Sequence, residues 1–376
     1  MILPDNEDNY LVFEVLKDGI NISEQMQSRV LHDRSNRQRF IRSTATANVF
    51  NLQEQDRLIG ESFKDTIGTN YGEAMGIIAK FISSSEPPPP ELPIPFIHRV
   101  KAISLISQVS GLNRKFIRKV IAGFSISKKQ MESEGREIWK PRQEYRALRR
   151  RFFEFPHPTG LHLIFSKNMA MESLVTLSKD VVFGKLPYEW KNDATDEAIS
   201  KLSNQAGKWF EEVVKDNLNN LGFSGFKSVK KIVNFADNSI NIPADIGEID
   251  YIGFSRREKL LVVIECKLVS DSSEPQFIRN DISKFMTSKK SYLNKFRKKS
   301  KWVHANWEIV FSALFSQQAE SSEYPNRIAG IIVTFFPTMA SYLIDDYPCV
   351  SLTEFMLDYE AINQYPYQIG LHSLKF

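Results

Sequence analysis

Along residues 247–269 the chain reads GEIDYIGFSRREKLLVVIECKLV, two apolar runs around a charged, turn-like SRRE. Short runs rich in β-branched and aliphatic residues fit a pleated sheet, so the pattern predicts a β-hairpin with strands over 249–254 and 260–269. Both strands are too apolar to be surface edges. Upstream, residues 194–221 carry apolar side chains at 199, 202, 206, 210, 213 or 214, 218 and 221, close to a 3.6-residue period, and the pattern stops at Gly222. That is a long helix, with Asp193 or Thr195 suited to its cap and Asp196 and Glu197 to its first turn. Downstream, 327–336 (RIAGIIVTFF, closed by Pro337) reads as a buried strand, 352–359 as a short helix and 310–314 as a further packing element.

The first half is patterned differently. Residues 1–82 mix a strand candidate at 10–16 with polar, Gln- and Arg-rich helical stretches. Residues 83–95, SSSEPPPPELPIP, favour polyproline II and exclude helix, which predicts a linker and a subdomain break. Residues 100–124 predict two helices about a turn at Gly111. The second bears Arg114, Lys115, Arg118 and Lys119. Glycine turn and apolar Leu112, Ile117 and Val120 resemble a helix-turn-helix, whereas Ser107 and Ser110 depart from it; two packed helices with a solvated basic face are the preferred reading. Residues 136–151 hold seven basic and two acidic residues with Trp139 and Tyr145 among them, either a phosphate-gripping and base-stacking surface or a solvated face. Strands are expected at 161–165 and 174–183, ahead of Tyr188-Glu189-Trp190 and the long helix.

Composition sets bounds. A length of 376 residues suggests two or three domains, and 42% hydrophobic with 25% charged residues is the balance of a globular protein. Two cysteines, Cys266 and Cys349, give neither a disulfide framework nor a CxxC site. The acidic opening MILPDNEDNY is unlike a signal peptide, and no apolar run approaches the ~20 residues of a membrane span, so a cytoplasmic protein with no membrane partner is expected. Neither a P-loop, nor G-x-G-x-x-G, nor HExxH occurs; His98, His157, His162 and His304 read as structural or surface residues. Net charge is only +4, but residues 279–301 hold nine Lys or Arg against one acid, Asp281. The basic surplus is therefore local, and phosphate binding by Lys289, Lys290, Lys295, Arg297, Lys298 and Lys299 is its natural use.

Charged residues inside the hairpin carry the chemistry. With residues 255–258 as the turn, Asp250 lies opposite Val263, and alternation puts Asp250, Glu265 and Lys267 on one face with Cys266 on the other. Two carboxylates in an apolar sheet are costly to desolvate. A divalent cation such as Mg²⁺, taken by one or two carboxylates and several waters, would compensate them, and a lysine beside it can orient water. Glu248 shares the face and is a further acid to account for.

Asp250, then Glu265-Cys266-Lys267 on the next strand, resembles the PD-(D/E)XK nuclease superfamily, with Ile249 where the family's usual proline stands. Gly207-Lys208-Trp209-Phe210-Glu211 is similar to the G-x-x-F-E of the family's first core helix, and by that pattern Glu211, not Glu212, is the helical glutamate. The resemblance covers about residues 194–360. It implies a restriction-endonuclease-like α/β domain over 186–376, a mixed sheet flanked by helices, behind a largely helical α+β recognition or partner region over 1–185. It further implies Mg²⁺-dependent phosphodiester hydrolysis, with Mn²⁺ able to substitute and DNA preferred to RNA. Asp250 and Glu265 would hold the metal, Lys267 would position or activate water, and Glu211 would assist. A homodimer, a role in restriction or anti-phage defence and a defence-system partner protein belong to the same expectation. The rival readings are a non-catalytic nucleic-acid-binding protein on a nuclease-like scaffold, and an interaction subunit whose partner supplies the chemistry.

Overall fold

A computed structural model describes residues 2–4, 11–13, 22–41, 49–85, 95–132, 149–233, 239–271, 275–315 and 324–374. Helices and mixed sheets make it an α/β protein. The chain divides into two compact units, Ala47–Ala206 and a second built from Met1–Thr46 with Gly207–Phe376. Residues 1–46 thus belong with the C-terminal half, and the division falls within helix Asp193–Asn220, not ahead of it at 185/186. Among the described residues no helix is long and apolar enough to cross a membrane.

In the unit Ala47–Ala206, a four-stranded sheet runs in the order Phe96–His98, Gly160–Ile164, Phe152–His157, Ser125–Ser127. Helices Arg99–Ser110 and Arg114–Phe124 flank Gly111, whose φ of 72° is the left-handed conformation that ends a helix most easily without a Cβ. Ile117, Val120, Ile121 and Phe124 are buried, while Arg114, Lys115 and Arg118 face solvent. The strand expected at 174–183 is instead helix Lys167–Asp180 continued by a 3₁₀ turn, Val181–Phe183. Its buried residues Ala170, Ser173, Leu174, Leu177 and Val181 recur every three or four positions, a helical period that outweighs the β-branched content. Of the basic run at 136–151, residues 136–148 lie outside the described residues, as do 86–94 of the proline-rich stretch and most of 10–16, where Leu11–Phe13 pairs with Ile2–Pro4. Arg149 and Arg150 pair with Asp180 and Glu189, and Arg151 donates to Ser173 Oγ. These three arginines brace the unit's interior.

In the second unit, helix α1 (Ile22–Phe40) and the part of helix α2 (Asp193–Asn220) from Gly207 onward precede a six-stranded sheet. The cap of α2 is Asn192: its Oδ1 accepts from Thr195 N at 2.8 Å while Thr195 Oγ1 accepts from Asn192 N at 2.7 Å, a reciprocal pair that supersedes the expected cap at Asp193 or Thr195. Strands β1 (Phe223–Val229), β2 (Ile249–Ser255) and β3 (Leu260–Lys267) form an antiparallel meander. Helices α3 (Tyr292–Ala305) and α4 (Trp307–Phe315) then lead to β4 (Arg327–Thr334), which lies parallel to β3. The far edge of β4 is shared by β5 (Cys349–Ser351), parallel, and β6 (Leu371–Ser373), antiparallel, with α5 (Leu352–Ile362) between them in sequence. One sheet face, carrying Ile252, Phe254, Leu261, Val263, Ile328 and Ile332, forms a single core with Leu293, Phe296, Val303, Val310, Phe311 and Phe315 of α3 and α4.

Candidate functional site

The hairpin turn is Arg256 to Lys259, because Ser255 pairs with Leu260 and Lys259 adopts a φ of 47°. Tyr251 stands opposite Ile264, so Asp250 faces the position of Glu265 and not Val263. The register is displaced by two residues from the expected one. Because strand side chains alternate with period two, that displacement leaves Asp250, Glu265 and Lys267 on one face.

Those three side chains meet, and a fourth joins them. Glu265 Oε1 lies 2.7 Å from Lys267 Nζ and its Oε2 2.5 Å from Lys299 Nζ. Asp250 Oδ1 accepts from Lys299 Nζ at 3.1 Å; its Oδ2 accepts from Lys267 Nζ at 3.1 Å and from Cys266 N at 2.9 Å. Carboxylates and ammoniums thus alternate around a closed ring in which every carboxylate oxygen is bonded. Glu265 is 2% exposed, Lys299 7% and Asp250 8%, and charges so buried persist only when paired and hydrogen-bonded. Burial alone would lower the Lys267 ammonium, but Glu265 and Asp250 outweigh it and hold the group above the ordinary lysine value. Lys267 is therefore a fixed cation at neutral pH. Its Nζ also donates to Cys266 O at 3.0 Å and lies 5.2 Å from the centre of the Tyr292 ring. Burial first, then Asp250 and Glu211, push the Cys266 thiol well up, which removes it as a nucleophile.

Glu211 approaches from α2. Its Oε2 accepts from Ser228 Oγ at 2.7 Å, and Ser228, with a φ of 52°, falls opposite Asp250 in the register of β1 and β2. A non-glycine residue held in that left-handed conformation within a strand marks local strain, here spent on turning a hydroxyl toward Glu211. Burial raises the Glu211 carboxyl; Ser228 opposes this, Asp250 and Glu248 add to it, and Lys267 opposes it. Glu212, its neighbour, pairs with Lys227 and Lys215. Glu248 pairs with Lys230 at 3.2 Å and stands outside the ring.

The basic residues separate into three groups. Lys289, Lys290, Lys295 and Lys298 are exposed; Arg297 pairs with Asp346 at 2.5 Å; Lys299 turns inward to the ring instead of toward solvent. Helical spacing puts Lys295 on the same side of α3 as Tyr292 and Lys299. Lys299 as a ring member, and Ser228, were not foreseen. The signal for Lys299 was its place in the buried stripe Leu293, Phe296, Ser300 and Val303; a serine in a strand gave none.

Among the described residues no group of three or more His, Cys, Asp and Glu is arranged to hold a metal ion. Two carboxylates do converge there, and each ammonium bridges both: Lys299 joins Asp250 Oδ1 to Glu265 Oε2, and Lys267 joins Asp250 Oδ2 to Glu265 Oε1. Two hard oxygen donors about one small positive charge suit Mg²⁺, which keeps several waters and needs only one or two carboxylates. Compared with known proteins, the chain matches no family model, no curated protein and no solved structure.

Proposed function

We propose that the chain is a metal-dependent nuclease of the PD-(D/E)XK kind, hydrolysing phosphodiester bonds of DNA in preference to RNA. The observation that carries this reading is the meeting of Asp250, Glu265 and Lys267 about one buried centre where β3 ends. The order of helix α2, meander β1–β3, helices and parallel β4 agrees with the restriction-endonuclease-like core. Mg²⁺, or Mn²⁺ in its stead, would supply Lewis acidity and an acidified water. Asp250 and Glu265 are the oxygen donors for it. Lys267, fixed as a cation by both, orients the attacking water and offsets charge gathering on phosphorus. Glu211, with its raised carboxyl, is a better proton acceptor than an ordinary glutamate. Exposed Lys289, Lys290, Lys295 and Lys298 are the groups available to bind backbone phosphates. Cutting both strands needs two such sites, which makes a homodimer part of the proposal, along with a cytoplasmic role in restriction or anti-phage defence beside a partner protein.

One observation favours a second reading. The ring is charge-balanced by its own lysines, as a non-catalytic nucleic-acid-binding scaffold requires. Incubating the purified chain with plasmid, linear and single-stranded DNA and with RNA, in Mg²⁺ and in EDTA, tests the choice. Cleavage that needs the divalent ion and is faster on DNA than on RNA is expected. Salt-sensitive binding with no cleavage of any substrate would favour the scaffold.

A further inference from the structure

The two lysines of the ring are not equivalent. Lys267 has a second anchor in the Cys266 carbonyl, whereas among the described residues the hydrogen bonds of Lys299 go to the two carboxylates alone. Lys299 is also the odd residue on its helix: a lysine among Leu293, Phe296, Ser300 and Val303, in a stripe that otherwise packs on the sheet. Its ammonium is 2.5 Å from Glu265 Oε2 and 3.1 Å from Asp250 Oδ1, so it occupies a place between the two carboxylates that the reading above makes the metal's oxygen donors. A divalent cation taking those two oxygens would have to displace the ammonium that now holds them, since two positive charges on the same pair of oxygens in a buried site repel strongly. Without either, the two carboxylates would have Lys267 alone and the site would keep an uncompensated buried negative charge.

We infer that Lys299 is a resident counter-ion: it holds the metal seat in the metal-free protein, and a divalent ion binds only by displacing it. This rests on the metal-dependent reading above. The exchange keeps the pocket folded and charge-balanced before metal arrives, and it sets a higher metal threshold than two open carboxylates would have. Lys299 is in this sense a positioning residue, acting on the reaction through the occupancy of the seat.

The test compares wild type, Lys299→Met, Lys299→Gln and Asp250→Asn as full-length chains. Binding of Mn²⁺ is followed by loss of the free-ion electron paramagnetic resonance signal, and melting temperature is recorded with and without Mn²⁺. Lys299→Met is expected to melt lower than wild type in EDTA, to bind Mn²⁺ at least tenfold more tightly, and to gain more in melting temperature from Mn²⁺ than wild type does. Lys299→Gln, which keeps a hydrogen-bond donor without the charge, should behave alike and serves if the methionine variant does not fold. Asp250→Asn should lose Mn²⁺ binding. If wild type binds Mn²⁺ through Asp250 but the Lys299 variants bind it no more tightly, the counter-ion role is wrong while the metal site stands. If neither wild type nor the Lys299 variants bind Mn²⁺ in an Asp250-dependent way, both fall.

Discussion

Two carboxylates and two ammoniums sharing one desolvated pocket bind each other so tightly that removing any one leaves a partner's charge exposed to a poor solvent. Asp250→Ala deletes the acceptor of three hydrogen bonds and is expected to cost about 3–5 kcal/mol of stability, read from urea denaturation. Glu211 makes a pH-dependent prediction of opposite sign. Its carboxyl is raised on folding, so the folded chain holds that proton more tightly than the unfolded one, and stability falls as pH rises from the ordinary glutamate value, about 4.3, to the raised one. Glu211→Gln should therefore melt higher than wild type near neutrality and lose that advantage below pH 4, while cleavage falls by about 10²-fold or more. At this scale Asp250, Glu265 and Lys267 were legible because alternation along a strand survives an even displacement of register. Lys299 was not, because nine basic residues between 279 and 301 read as one surface, and only its phase on the helix distinguishes the one that turns inward.

Helix α3 is where two functions share one element. Its inner stripe seals the core and delivers Lys299, its outer face presents Lys298, and exposed Lys295 lies at the margin on the side of Tyr292 and Lys299. If these two lysines grip phosphates, the double change Lys295→Ala, Lys298→Ala should reduce the slope of log binding constant against log salt by about one for each phosphate no longer neutralised, as measured by fluorescence anisotropy on a DNA duplex. Arg297→Ala, whose guanidinium is held by Asp346, should leave the slope near the wild-type value. The hairpin and the long helix were legible as elements from their periods, but the turn was read one residue early, since nothing in SRRE announces that Lys259 takes the left-handed conformation. The segment at 174–183 was misread for a related reason: β-branched residues in a short window imitate a strand until the wider 3.6-residue period from Ala170 is included.

On the scale of the whole molecule, Met1–Thr46 is part of the unit that carries the site, a joining of chain ends that hydropathy does not reveal. The link is made by α1: Arg29 donates to both oxygens of Glu354 and to Ser341 Oγ, and buried Asp33 accepts from Ser351 Oγ at 2.7 Å and pairs with Arg37. Ser351 and Glu354 form the capping box of α5, so α1 fastens the start of the helix that follows β5. Asp33→Ala should destabilise the protein by about 3 kcal/mol, seen in urea denaturation, by taking a buried acceptor from both Arg37 and Ser351 Oγ. The central claim, that Asp250, Glu265 and Lys267 form a metal-dependent phosphodiesterase, is tested most directly by one assay. Single-turnover cleavage and equilibrium binding of the same DNA duplex are measured in Mg²⁺ for wild type and Lys267→Ala. The account predicts cleavage by wild type that EDTA abolishes, and a variant that binds within a few-fold of wild type but cuts at least about 10²-fold more slowly. Equal cleavage by the two proteins, or none by wild type on a duplex it binds, would contradict it.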